Sequence, residues 1–186
     1  TKDYATLQNE AKEIVKRTTN GARVTNLKKI IEEAHYSQIQ LESKKLPILQ
    51  QVELLNAFAK EHTGTKLGQA AYWQGVSLAY SNGYDVLGAN LSLAYIKQYP
   101  DDNRKQDALT EATKAFIDSG NLKLAIATIK ILAGTDKNNA SKHSELICDL
   151  YKIDYQIIES RKCYKILLVK SDKDKKSELM KKILQN

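Results

Sequence analysis

Proline, glycine, cysteine and phenylalanine are all scarce in this chain. Its 186 residues hold two prolines, eight glycines, two cysteines and two phenylalanines, whereas average usage is roughly 5% proline and 7% glycine. So few chain breakers exclude a loop-rich or low-complexity protein and predict a mostly helical one. Two cysteines, Cys148 and Cys163, are too few for a miniprotein built on a disulfide framework. Long apolar runs are missing as well. Ile166–Val169 is typical of the longest and falls far short of the roughly 18–20 residues that cross a bilayer, so no membrane span is expected and peripheral contact stays open.

What is present suits one folded domain. Hydrophobic residues make up 42% of the chain, enough for a core at a length within the usual range of ~100–200 residues per domain. The formal charge is +7, but it is unevenly placed. Residues 160–186 carry nine Lys/Arg and three Asp/Glu, which leaves 20 against 19 for residues 1–159. The body is neutral and only the tail is basic. The chain starts at Thr1 with neither an initiator methionine nor a charged-then-apolar leader, so we expect a processed chain or a piece of a longer one.

Apolar residues recur at intervals of three and four, as on one face of a helix: Leu7, Ala11, Ile14, Val15, then Val24, Leu27, Ile31, Ala34, then Leu46, Leu49, Val52, Leu55, Phe58 and Ala59. Nothing alternates with period two, so strands are not expected. Breaks fall at Asn20-Gly21, Pro47, Thr63-Gly64, Asn82-Gly83, Pro100 to Asn103, Ser119-Gly120-Asn121, Asp136 to Asn139 and Ser171-Asp172. These residues tolerate left-handed φ or cap helix starts. The result is an all-α chain of about ten helices. Short links make neighbours lie alongside each other in antiparallel pairs, either as a closed bundle or as stacked hairpins with a period near 34 residues.

The middle of the chain is self-similar. Ala71-Tyr72-Trp73-Gln74-Gly75-Val76-Ser77-Leu78 leads to Gly83-Tyr84, Leu87, Leu91, Ala94 and Tyr99-Pro100; Leu109, Ala112, Thr113 and Phe116 lead to Gly120-Asn121-Leu122, Ala125, Ile129, Leu132 and Asp136. This pattern resembles the tetratricopeptide repeat, in which small residues sit where paired helices cross and bulky ones fill the grooves beside them. Leu87 departs from the usual alanine. Leu146, Leu150, Tyr155 and Ile158 are placed in a third, degenerate unit, where Lys162 and Lys165 fit poorly. The resemblance implies a right-handed superhelix, an α-solenoid, formed as a single domain over 1–186. Divergent hairpins would occupy 1–65, repeats 66–170 and a capping helix 171–186, where Ser171 and Asp174 approximate a capping box. Ala71-Tyr72-Trp73-x-Gly75, Tyr99-Pro100-Asp101-Asp102 and Asp107-Ala108-Leu109 are similar to the subgroup common in bacterial cell-envelope proteins, such as outer-membrane assembly lipoproteins and Tol–Pal coordinators. Those are non-catalytic scaffolds. The resemblance thus tilts localisation toward the periplasm or envelope.

Motifs for catalysis are weak. Gly75-Val76-Ser77-Leu78-Ala79 falls one residue short of a nucleophile elbow and lies inside a helical pattern rather than after a strand. Neither phosphate-binding glycine motif occurs. His35, His62 and His143 are far apart, and none has a second His or Cys at helical ligand spacing. A zinc site would need further ligands from elsewhere in the fold, so no metal, cofactor or small-molecule substrate is expected. Glu32-Glu33 and similar pairs read as solvated helix faces. Cys148 and Cys163 read first as buried free thiols, with a bridge as the alternative in an oxidising compartment.

The expected function is therefore a non-catalytic scaffold that binds a protein or peptide. Ten tyrosines against two phenylalanines suit half-buried recognition positions. By the resemblance, the first helix of each pair lines a concave groove, which implicates Tyr72, Val76 and Tyr80, then Thr110, Lys114 and Ile117, then Ser144 and Tyr151. The basic tail, with Lys173, Lys175, Lys176, Lys181 and Lys182, reads as a solvated face of the cap, with an acidic partner or anionic lipid as the next reading. Nucleic acid ranks last, because the body has no basic stripe. The competing class is a helical regulatory domain of a larger enzyme.

Overall fold

The computed structural model describes residues 3–171 and 173–184; the side chains of Lys173 and Asp174 lie outside that description. The described residues form ten α-helices and one short 3-10 turn, with no strand. The helices are α1 (Tyr4–Arg17), α2 (Gly21–Ser43), α3 (Ile48–Glu61), α4 (Lys66–Ser81), α5 (Asp85–Gln98), α6 (Lys105–Asp118), α7 (Leu122–Thr135), α8 (Ala140–Ile153), α9 (Ile157–Lys170) and α10 (Lys173–Leu184). Two compact units divide the chain inside α5, Thr1–Leu91 and Ser92–Asn186. The proposed capping box at Ser171 rests on Asp174 and lies outside the described side chains.

Each unit is built by helices folding back on their chain neighbours. In the first, α1 packs on α2 and α3 on α4, and α2 also touches α3 and α4. In the second, α6, α7, α8, α9 and α10 pack in order, each on the next. Helix starts follow side-chain chemistry. Asp3, Asn20 and Thr65 each accept a hydrogen bond from a backbone N–H of the first turn, at 3.0, 3.0 and 2.9 Å, satisfying donors that the helix itself cannot.

Helix ends show the repeat most clearly. After α4, α6 and α8 the chain makes the same double-bonded turn, with long bonds Tyr84 N–H to Ala79 O (3.0 Å), Asn121 N–H to Phe116 O (2.8 Å) and Gln156 N–H to Tyr151 O (2.8 Å). This turn needs one residue in the left-handed region. Gly83 (φ 76°) and Gly120 (φ 72°) supply it in the first two, but the third uses Tyr155 at φ 56°. Tyr155 lies about 35 positions after Gly120, one repeat length for hairpins of this kind. The expected core of that third unit is accordingly out of phase. Leu150 is buried, but Tyr155 and Ile158 are 90% and 69% exposed, because Tyr155 is the turn itself. Ile147, Cys148, Ser160 and Tyr164 are buried in their place.

Cys148 in α8 and Cys163 in α9 are joined by a disulfide, with Cα atoms 5.4 Å apart. This corrects the expectation of two free thiols: α8 and α9 lie side by side, within the reach a bridge requires. Beside it, the Ser160 hydroxyl donates to the Cys148 carbonyl at 2.9 Å, and Tyr164 and Leu179 complete the cluster that seats α10. Between α5 and α6 a polar lock replaces the glycine turn. Arg104 and the Tyr95 hydroxyl both donate to the Asp102 carboxylate at 2.8 Å. The Arg104 guanidinium holds that carboxyl well below the usual range.

Candidate functional site

Thr110, Thr113, Lys114, Ile117 and Asp118 share one face of α6 by their spacing of three and four residues. Together with Ile129 and Leu132 of α7 and His143 and Leu146 of α8 they line a groove of about 240 Å³. Ile129 and Leu132 are buried, Ile117 is half-buried, and Thr110 and Lys114 are exposed. The floor is apolar and the rim polar. His143 is fixed by Asp136, Nε2 to Oδ2 at 3.0 Å. Hydrogen bonds from Asn139 and then His143 keep the Asp136 carboxyl below its ordinary value. Thr113 is unusual: it lines the groove, is buried, and its Oγ1 has no hydrogen-bond partner among the described residues. A buried hydroxyl left without a partner costs about 1–3 kcal/mol.

The residues expected in a groove are thus divided among several places. Thr110, Lys114 and Ile117 come together. Tyr72 and Val76 are 8% and 1% exposed, so they pack rather than face solvent. The expectation that they are exposed is corrected, because both lie on the buried side of α4 with Gly68, Ala71, Gly75 and Ala79. Tyr80 is half-buried with its ring over Gly88, where a Cβ would come within 2.9 Å. Ser144 lines a separate cavity of about 400 Å³ among α8 and α9, with Ile147, Cys163 and Leu167. The Tyr151 hydroxyl accepts from Lys130 at 3.0 Å, and the ammonium sits 5.6 Å from the ring centre.

The basic tail is partly used within the chain. Lys175 pairs with Glu145 and Glu178 at 2.8 and 2.9 Å, and Lys182 with Glu145 and Asp149 at 2.7 and 3.3 Å. Burial by itself would raise the Glu145 carboxyl, but hydrogen bonds from Lys175 and Lys182 outweigh it, and the group lies below its usual range. Lys176 and Lys181 are exposed, and the Lys173 side chain is outside the described set.

One grouping was invisible in the spacing of the sequence. His35 of α2 and His62 at the end of α3 face each other, Nδ1 to Nε2 at 3.4 Å, although 27 positions separate them. Glu61 reaches both rings, at 3.8 and 3.9 Å. Glu32 is half-buried rather than solvated: it accepts the Thr65 hydroxyl and lies 4.0 Å from His62 Nδ1. His35 titrates below the ordinary histidine value, first because burial disfavours the imidazolium and despite the opposing charge of Glu61. No helix among the described residues is long and apolar enough to cross a membrane. No protein-family model matches the chain, and no curated protein matches its sequence at a significant level.

Proposed function

We propose that this protein is a tetratricopeptide-like, non-catalytic scaffold that holds a short segment of a partner protein in the groove formed by α6, α7 and α8. One observation carries this reading. Ile129 and Leu132 form an apolar floor between the polar rim residues Thr110, Lys114 and Asp118 in a groove of about 240 Å³, which would take an apolar side chain of an inserted peptide while its backbone meets the rim. Lys114 and Asp118 on the rim would set the register of a peptide carrying both signs of charge. The turn repeated after α4, α6 and α8 supports the repeat architecture, which suits extended recognition surfaces. The Cys148–Cys163 bridge supports placement in an oxidising compartment such as the bacterial periplasm, since cytosolic thiols are normally kept reduced.

The test is selection from a displayed random-peptide library on immobilised wild-type protein, repeated on Ile117→Arg and Thr113→Val. A consensus enriched by the wild type and lost on Ile117→Arg is the expected result. Thr113→Val is the control and should leave both binding and folding intact, because the hydroxyl it removes is inaccessible and has no partner among the described residues. Equal enrichment on wild type and Ile117→Arg would overturn the groove.

A further inference from the structure

Three Lewis bases converge where α3 ends against α2. His35 Nδ1 and His62 Nε2 are 3.4 Å apart, longer than the roughly 2.9–3.0 Å usual for a nitrogen donor. The Glu61 carboxylate oxygens lie 3.8 and 3.9 Å from them, and a ligand atom from each of the three residues falls within 4.8 Å of the others. Metal–ligand bonds of about 2.0–2.2 Å at tetrahedral angles put neighbouring ligand atoms about 3.3–3.6 Å apart. The two nitrogens already stand at that separation, and each lies within a few tenths of an ångström of it from its own Glu61 oxygen, His35 from one and His62 from the other. A small turn of the exposed carboxylate would close the set around one ion.

We propose that His35, Glu61 and His62 form a binding site for a divalent first-row transition-metal ion of the kind that prefers imidazole, such as zinc, with further coordination completed from solvent. The chemistry of the donors excludes magnesium and calcium, which demand oxygen ligands, and favours zinc, nickel and copper. The surroundings agree. The two imidazole side chains are 28% and 16% exposed and Glu61 is 63% exposed, so the rings form the fixed base and the carboxylate the open side through which an ion enters. Phe58, 1% exposed, backs both rings at 5.1 and 4.2 Å.

Support reaches the next layer out. Glu32 stands beside the other ring nitrogen of His62, the position from which an outer carboxylate orients a ligating histidine, and Glu32 is itself held by Thr65. Glu32 and Glu61 together match the charge of a divalent ion. Glu61 and His62 also end α3, and the carbonyl end of a helix favours positive charge. His62 has little freedom to move, because a Cβ on Gly68 of α4 would lie 2.1 Å from the His62 carbonyl oxygen.

The test uses the full chain with its disulfide intact, stripped with chelator and titrated with zinc chloride near neutral pH by calorimetry. Cobalt(II) serves as a spectroscopic probe of tetrahedral geometry. The expected result is one ion per chain and an upward shift in melting temperature with zinc. Binding should be lost in the His35→Gln/His62→Gln double variant, weakened about 10- to 100-fold in Glu32→Gln and unchanged in Glu33→Gln, an exposed neighbour outside the cluster, with helicity by circular dichroism confirming that each variant folds. Failure of wild type to bind, equal affinity in the double variant, or loss of the site in Glu33→Gln would each overturn the proposal. None of these results bears on the peptide groove, which lies in the second unit.

Discussion

Two clusters of charged and titratable side chains join helices in this molecule, and they are built on opposite plans. At the α8–α10 corner each carboxylate has an ammonium partner: Glu145 lies between Lys175 and Lys182, and Asp149 takes Lys182. At the α2–α3 corner, Glu61 and Glu32 form ion pairs only with histidines among the described residues. The first corner carries its own cations and serves to seat a helix. The second presents bases to one another, an arrangement that holding α3 against α2 does not require. The contrast separates a structural ion-pair cluster from a site with chemical capacity, although both show the perturbed titration that marks either.

The strongest way to break the first corner is to open the bridge behind it. Reducing Cys148–Cys163, whose loop spans 15 residues, should cost about 3 kcal/mol on loop-entropy grounds. Urea unfolding with and without reductant measures it. Next, one substitution applied to both corners sharpens the contrast. Glu145→Gln should cost about 1–2 kcal/mol, between the values for buried and surface pairs, because it leaves two partly buried lysines with weakened partners. Glu61→Gln in metal-free protein should stay within about 0.5 kcal/mol. Equal losses would erase the distinction between the corners.

A smaller effect of opposite sign is expected at the third repeated turn. A left-handed conformation costs a non-glycine residue about 1–2 kcal/mol, and Tyr155 has little packing to lose at 90% exposure. Tyr155→Gly should stabilise the second unit by about 0.5–1 kcal/mol after the entropy of glycine is counted. Thermal unfolding measures the gain, and no rise in melting temperature would contradict it.

Acid should separate the corners by pH. His35 binds its proton less tightly folded than unfolded, so the unfolded chain holds more protons once pH drops below the ordinary value of 6.5, and the first unit loses stability from there downward. Glu145 has a lowered value, so its contribution is complete above about pH 4.5 and is lost only as pH falls further. Hydrogen exchange by mass spectrometry across that range should show protection falling first around His35 and later around Glu145. Loss in the reverse order would contradict both assignments.

Much of the helical plan was legible because the breaks use residues whose backbone chemistry is local. Asn20, Gly64, Gly83 and Gly120 act through their own φ angles or caps, so their positions can be read without knowing what packs nearby. Tyr155 defeated that logic, since tyrosine has no local preference for the left-handed region it occupies, and nothing in its residue type marked a turn. Missing that turn put the third unit out of phase. Tyr72 and Val76 were assigned to a surface from repeat position alone, but burial depends on what covers α4. The His35–Glu61–His62 group was not legible at all. Its members lie on two helices, and their proximity arises only when α2 and α3 pack. Sequence spacing detects ligands that share a helix face or a tight loop, and these share neither.

The covalent tie between α8 and α9 also sets how the chain would behave under mechanical load. Pulled from its two ends, an oxidised molecule keeps the 15-residue span between the bridged positions out of the stretched length, withholding about 5 nm of contour at roughly 3.3–3.6 Å per residue. A reducing environment would release that hidden length, so the same polypeptide has two distinct tethered reaches according to the redox state around it.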